Sequence, residues 1–275
     1  MRACWRRTLL GLSTILGVAP RGFFIPHRYA APAKRADYPA LRPLFEAAEP
    51  RFVEVVETIE TYREDLLRIA AGQGPARFDQ DWFPRLDAAA AYAIVRDRRP
   101  RRIVEIGSGH STRFLAQAVA DGAMATSITC IDPAPRAGLD RLGVRHEKRL
   151  LGPADGALAA ELEAGDLLFV DSSHIAMPGT DVAQLFLDIL PRLRGGVLVH
   201  VHDVFLPDPY PSDWAWRGYN EQLLVGALLQ GGAYEILFAS RYATARRAEL
   251  LRGSVIEGLP LLPGAYESSL WLKKR

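Results

Sequence analysis

Four short apolar runs each end in an acid. Glu105 closes the run of Ile103, Val104 and Ile106. Asp132 follows residues 127–131, Asp171 follows residues 166–170, and the pair His202 and Asp203 follows residues 196–201. The runs read as buried parallel strands, since they are near-continuously apolar rather than alternating. A carboxylate at the end of a buried strand loses hydration unless something pairs with it. Any one of them could be a turn former or a helix cap. Four in strand order converge on one rim, because an open parallel sheet binds its ligands at the carboxyl ends of its strands. Such a rim can bind a nucleotide and do proton chemistry beside it.

The first of these ends also carries a glycine turn. Residues 105–112 read Glu-Ile-Gly-Ser-Gly-His-Ser-Thr, and an apolar-periodic helix with Phe114, Leu115, Ala118 and Val119 follows. Strand, glycine turn and helix start make a nucleotide-binding corner, with free N–H groups at the helix start. The dinucleotide fingerprint wants a third glycine at position 112, where Thr112 stands. Asp132, 27 positions after Glu105, suits both hydroxyls of a ribose but does not choose the cofactor.

An acid two residues ahead of the first glycine resembles the first motif of class I S-adenosylmethionine-dependent methyltransferases. Two further motifs strengthen that resemblance and point to a bacterial small-molecule branch: Val-Asp-Ser-Ser-His at 170–174 and His-Asp-Val-Phe-x-Pro at 202–207. It covers about residues 80–275. It implies that the turn (Gly107, Ser108, Gly109, Ser111, Thr112) wraps the methionine part of S-adenosylmethionine. It further implies that Glu105 helps hold the ammonium, directly or through water, and that Asp132 holds the ribose. Asp171 is expected on the cofactor side of the same rim.

The sulfonium is already a good electrophile, so the protein must place a nucleophile in line with the methyl group and exclude water. A hydroxyl nucleophile also needs a proton acceptor or a metal that lowers its pKa. The candidates are His174, His202, Asp171 and Asp203, with histidine favoured because it titrates near neutrality. A histidine base without metal is the preferred reading. The alternative is a divalent metal at Asp171, His202 and Asp203; catechol-type members place ligands after the same two strands. Two carboxylates with one imidazole suit a transition ion better than magnesium. The plain structural reading is that these histidines orient loops.

The elements that must position these groups alternate strand and helix from residue 100 onward, which predicts a Rossmann-like α/β fold. The sheet is doubly wound, mostly parallel and seven-stranded, with an antiparallel last strand. Strands are expected at 102–106, 127–131, weakly at 144–148, then 166–170, 196–201, 234–239 and 268–272, with helices at about 180–193 and 219–229. Residues 43–71 show one apolar stripe near helical spacing, and a second helix runs over 84–96, so residues 43–100 are read as a helical cap. Residues 1–42 form an amino-terminal arm and 101–275 the cofactor-binding domain. The segment 78–84 reads as a substrate-side loop or as an aromatic anchor of the cap. The proline-stiffened loop 203–218 reads as a substrate wall. His110 in the glycine turn reads as approaching the cofactor or, more plainly, as a solvated turn histidine, while His27 and His146 carry no assignment.

Composition excludes several classes. A net charge of +2 over 275 residues gives no case for nucleic acid. Cys4 and Cys130 fall in no metal-spaced or redox motif and suit a reducing compartment, hence a cytoplasmic location. Arg2, Arg6 and Arg7 ahead of the apolar residues 8–19 resemble the start of a signal peptide, but no small-x-small site follows promptly. An amphipathic helix docked on the body or on a membrane face, through residues 1–25, is preferred. Prolines and aromatics from Pro20 to Pro43 predict an extended wrapping segment. The expectation is an enzyme that moves a methyl group to a small-molecule acceptor, most simply to oxygen. The competing readings are an inactive cofactor-binding module and an NAD-type enzyme, the latter disfavoured by Thr112.

Overall fold

Ile103, Val104 and Ile106 build the central strand β1 (Arg102–Ile106), flanked on both sides by parallel partners. The computed structural model describes residues 2–19, 21–23, 28 and 36–275. Pro20, Phe24, Pro26, Tyr29 and Pro32 of the expected wrapping segment, and His27, lie outside the described residues.

In chain order the helices before the sheet are α1 (Arg2–Ile15), α2 (Arg42–Glu46), α3 (Glu49–Thr61), α4 (Arg63–Ala70) and α5 (Arg85–Arg98). The single helix expected over 43–71 is therefore three. Pro43 and Pro50 have no N–H to give, so each sits in the first turn of a new helix, where that donor is spare. Tyr62, at φ −105° and ψ 24°, breaks the chain again between α3 and α4. The apolar stripe survives both breaks, because Phe45, Phe52, Ile59, Leu66 and Ile69 are all buried.

After β1 come α6 (His110–Asp121), β2 (Ser127–Ile131), β3 (Arg145–Glu147), α7 (Leu158–Glu161) and β4 (Leu167–Val170). Next are α8 (Asp181–Gln184), a π-helical turn over Leu185–Ile189, and α9 (Leu190–Arg192). These three stand where one helix was expected, the widened turn leading into Pro191, which lacks an N–H. β5 (Leu198–Val201), α10 (Glu221–Gln230), β6 (Tyr234–Ala239), α11 (Ser240–Arg246) and β7 (Leu270–Lys274) complete the chain.

The strand order is 3-2-1-4-5-7-6, with β7 antiparallel to both neighbours. This is the seven-stranded, doubly wound class that the sequence predicts. β4 and β5 are buried along their whole length, as strands covered on both faces should be. One contiguous core joins Phe45, Phe52 and Tyr92 of the early helices to Phe169, Phe238 and Trp271 of the sheet. α5 packs on α3 and α6, and α3 reaches β6. Among the described residues no helix is long and apolar enough to cross a membrane.

Candidate active site

The turn after β1 is fixed by close approach. Gly107 has φ +82°, and a Cβ there would lie 1.8 Å from the Asp171 carbonyl oxygen, so only glycine lets the ends of β1 and β4 meet. Ser111 Oγ and Thr112 Oγ1 each donate to one oxygen of Glu105 at 2.6 Å, and Cys130 Sγ adds a third contact at 3.3 Å. Thr112 Oγ1 also accepts from Gly109 N at 2.9 Å. Thr112, the residue that breaks the dinucleotide fingerprint, is thus the pin of this turn. Burial pushes the Glu105 carboxyl up to about 7, against the pull of those three donors.

A cavity of about 320 Å³ opens at the carboxyl ends of β1, β2, β4 and β5. Gly107, Ser108, Gly109 and Ser111 line it on one side, and Asp132 and Asp171 on the same rim. Glu105 and Thr112 do not line it. The two oxygens of Glu105 face the hydroxyls at the start of α6 and the Cys130 thiol on β2, which offset its desolvation. Asp132 takes N–H from Ser108 (2.7 Å) and Ala134 (2.7 Å), which aims the carboxylate into the turn and leaves lone pairs over. His146 Nε2 supports the same corner at 2.8 Å from the Asp132 carbonyl. His110 and Ser172 also line the cavity, and His110 Nδ1 and Ser172 Oγ are buried without a protein partner. A polar ligand would satisfy both.

Opposite lies a cluster of imidazoles and acids. His202 Nδ1 is 3.4 Å from Asp171 Oδ1 and 3.5 Å from Asp203 Oδ1, while its Nε2 is 3.3 Å from Asp87 Oδ2. His174 Nε2 is 3.3 Å from Asp171 Oδ1 and 3.5 Å from Asp203 Oδ2, and its Nδ1 is 2.9 Å from Glu221 Oε2. Burial alone would lower both imidazoles, but the surrounding carboxylates raise them well above the usual value. Burial would raise Asp171, yet the charge of His202 and hydrogen bonds from both histidines hold it well below the carboxylate range. Burial raises Glu221. His200, one pleat behind, is pushed well down by burial and then by His202, so it stays neutral against Phe169 at 3.7 Å between ring centroids.

The backbone is committed to this arrangement. His174 and Asp203 sit at φ 59° and 57°, a region that costs an L-residue roughly 1–2 kcal/mol. The His174 carbonyl accepts from Asn220 N (3.1 Å) and Glu221 N (3.2 Å), so the strained residue also caps α10. Asp203 accepts from Ser268 Oγ at 3.1 Å.

Asp87, Glu221, Ser268 and Ser269 escaped the sequence reading. Asp87 accepts from the N–H of Ser268 and of Ser269, both at 2.9 Å, and so links α5 and the start of β7 to His202. A signal was present: Asp87 is followed by eight apolar residues, Ala88 to Val95, so its helix is buried all round and an acid in it must be paired. The segment 78–84 supplies both buried anchors and part of the cavity wall. Phe78 and Phe83 are buried anchors, Phe83 lying 5.3 Å from His202, while Asp81 and Trp82 line the cavity. Arg136 stacks on Trp82 at 4.0 Å. In the other loop Trp214, Arg217 and Tyr219 line the cavity together with Tyr266, and Arg217 lies 4.0 Å over Trp214.

Residues 104–204, which span the glycine turn through the His202–Asp203 end, match the family model of a methyltransferase domain. Those residues form a methyltransferase domain. Among solved structures the methyltransferase is similar to the SAH-bound Podospora anserina methyltransferase PaMTH1, at 18% identity over 92% of this chain and 99% of that chain, with TM-score 0.43. It is also similar to an O-methyltransferase from Bacillus cereus in complex with SAH, at 15% identity over 78% and 91% of the two chains, with TM-score 0.45. A search of curated proteins returns no match.

Proposed function

We propose that the methyltransferase moves its methyl group to an oxygen of a small-molecule acceptor, with a divalent cation held by Asp171, His202 and Asp203. The observation that carries this reading is the convergence of these three side chains, whose donor atoms lie within 4.8 Å of one another at the cavity wall. The donor set fits a cation in three ways. Even with both imidazoles protonated, Asp87, Asp171, Asp203 and Glu221 leave the cluster formally two charges negative. His202 Nε2 lies 3.3 Å from Asp87 Oδ2, so a proton held there would leave Nδ1 to a cation that displaces the other proton, a carboxylate–histidine–metal relay. Asp171 is the least buried member, with 29% of its side chain accessible, so the site opens to the cavity.

When bound, a cation lowers the pKa of a hydroxyl that it coordinates. The chain's own residues do the rest. In this reading Asp132 takes the ribose hydroxyls, and Ser108, Gly109 and Ser111 cradle the methionine part; their place on the cavity wall supports it. Trp82, Trp214 and Tyr266 form an aromatic wall that can exclude water and orient a flat or apolar acceptor. His174, backed by Glu221, faces Asp171 and Asp203 and would take up the released proton once the charge of a bound cation had lowered its affinity for the one it holds.

That last pair supports a second reading without metal, in which His174 Nε2 is the general base. Calorimetry with Mn²⁺ alone separates the two. The metal reading expects one site, lost in Asp203→Asn, with SAH affinity unchanged. SAH release in the presence of hydroxyl acceptors should then stop after EDTA and return with Mn²⁺ or Mg²⁺. No Mn²⁺ binding, with turnover intact in EDTA and about 100-fold lower in His174→Gln, overturns the metal and supports the base.

A further inference from the structure

The amino-terminal helix presents its apolar stripe to solvent. Trp5, Leu9, Leu12 and Leu16 follow the spacing i, i+4, i+7, i+11 and share one side of α1 and its last turn. Their exposures are 68%, 50%, 48% and 71%, which is the reverse of a helix that packs its apolar side on a body. Leu10, Gly11, Ser13 and Thr14 lie on the other sides of the helix and are less exposed than that stripe, or partly covered, as in Gly11, Ser13 and Thr14. The helix end is tied down, since Arg21 N donates to Thr14 Oγ1 at 2.9 Å and Ser13 Oγ to the Ala19 carbonyl at 3.0 Å. Α1 also touches the Ser212–Arg217 turn, whose Trp214 and Arg217 line the cavity.

Charge divides along the same line. The first 36 residues contain seven basic residues (five of them Arg2, Arg6, Arg7, Arg21 and Arg28) and no acid; the other 239 contain 27 basic and 32 acidic residues. The near-neutral total hides an arm of +7 on a body of −5.

We infer that α1 is an in-plane anchor for an anionic lipid surface. A Trp- and Leu-bearing stripe sinks to the boundary of headgroups and acyl chains, and the positive charge of the arm draws it to the anionic headgroups. A second copy of this chain fits less well, because two arms of the same charge would have to meet face to face. The body, negative overall, is held off the same surface, so that only the arm and the rim beside it approach.

The test is flotation of the full chain with neutral phosphatidylcholine vesicles and with vesicles containing 30% phosphatidylglycerol, a composition of about the charge density that such arms need. The protein is expected to float with the anionic vesicles only, and 0.5 M NaCl should release most of it, because screening at that strength is short-ranged. Leu9→Glu with Leu12→Glu should lower the bound fraction by about tenfold, since two charges replace the inserted apolar area. A thermal shift with SAH equal to that of the parent confirms that the variant is folded. Absence of flotation on anionic vesicles overturns the inference. So does a concentration-dependent dimer that the same two substitutions dissolve while vesicle binding is nil.

Discussion

Asp87 holds His202 from behind, and its worth can be measured apart from chemistry. It is fully buried and accepts from two backbone N–H groups as well as facing the imidazole. Asp87→Ala orphans all three partners and is expected to cost about 3 kcal/mol or more in chemical denaturation, the usual result of breaking one side of a buried network. Asp87→Asn keeps most acceptor capacity but turns an N–H₂ toward one partner. It should retain SAH affinity while losing Mn²⁺ affinity by about 10- to 100-fold, as loss of an outer-shell carboxylate does. Equal Mn²⁺ affinity in parent and variant would remove Asp87 from the site. Glu105 makes the residue-scale prediction for pH. Its carboxyl is raised from 4.5 to about 7 in the folded chain. The folded state therefore keeps the proton longer than the unfolded one, and stability that is full below pH 4.5 is lost as pH rises through 7. The difference amounts to about 3 kcal/mol by pH 8. Melting of Glu105→Gln across pH 5–8 should be flatter than that of the parent, with the gap closing at pH 5; parallel curves would contradict the shift.

A polar knot joins the early helices α4 and α5 to α6. Tyr92 on α5 donates to Asp121 on α6 at 2.7 Å and accepts from Arg96, which in turn reaches Asp65 on α4 at 2.8 Å and stacks over Tyr62 at 4.8 Å. Tyr92→Phe removes the hinge of this knot and keeps its ring. We expect a loss of about 1–2 kcal/mol by urea denaturation, as for one buried hydrogen bond with a charged partner, and no change in SAH affinity; a neutral substitution would mean that α4, α5 and α6 pack without it. These elements were unequally legible in the sequence. β1, β2 and β6 could be bounded from their apolar runs, since burial on both faces writes itself directly into residue type. The breaks at Pro50 and Tyr62 were not read, because the apolar stripe continues across them and only the backbone departs. The rim was legible for the same reason that it exists: Asp132, Asp171 and His202–Asp203 stand where strands end. The partners of Glu105, Ser111 and Thr112, stand six and seven positions on and lie within the same motif. Asp87 was missed because its partners stand 115 and 181 positions away, and no local pattern carries that distance.

For the whole molecule, charge and topology matter in ways that totals conceal. A net charge of +2 is an arm and a body of opposite sign, and that partition sets which side of the methyltransferase approaches an anionic surface. Topology sets an order of events. β7 lies between β5 and β6, and the residues that lead into it, Ser268 and Ser269, secure Asp87 and Asp203. A chain made from its amino terminus exposes β1 to β5 to the cell long before β7 exists. Until then β6 has no partner strand, and the carboxylates around His202 lack the amides that aim them. The nascent protein can thus bury most of its core, and even shape the glycine turn, while its reactive cluster is still unassembled. Chemical competence is a property that arrives last, with the final strand sliding between two that are waiting for it.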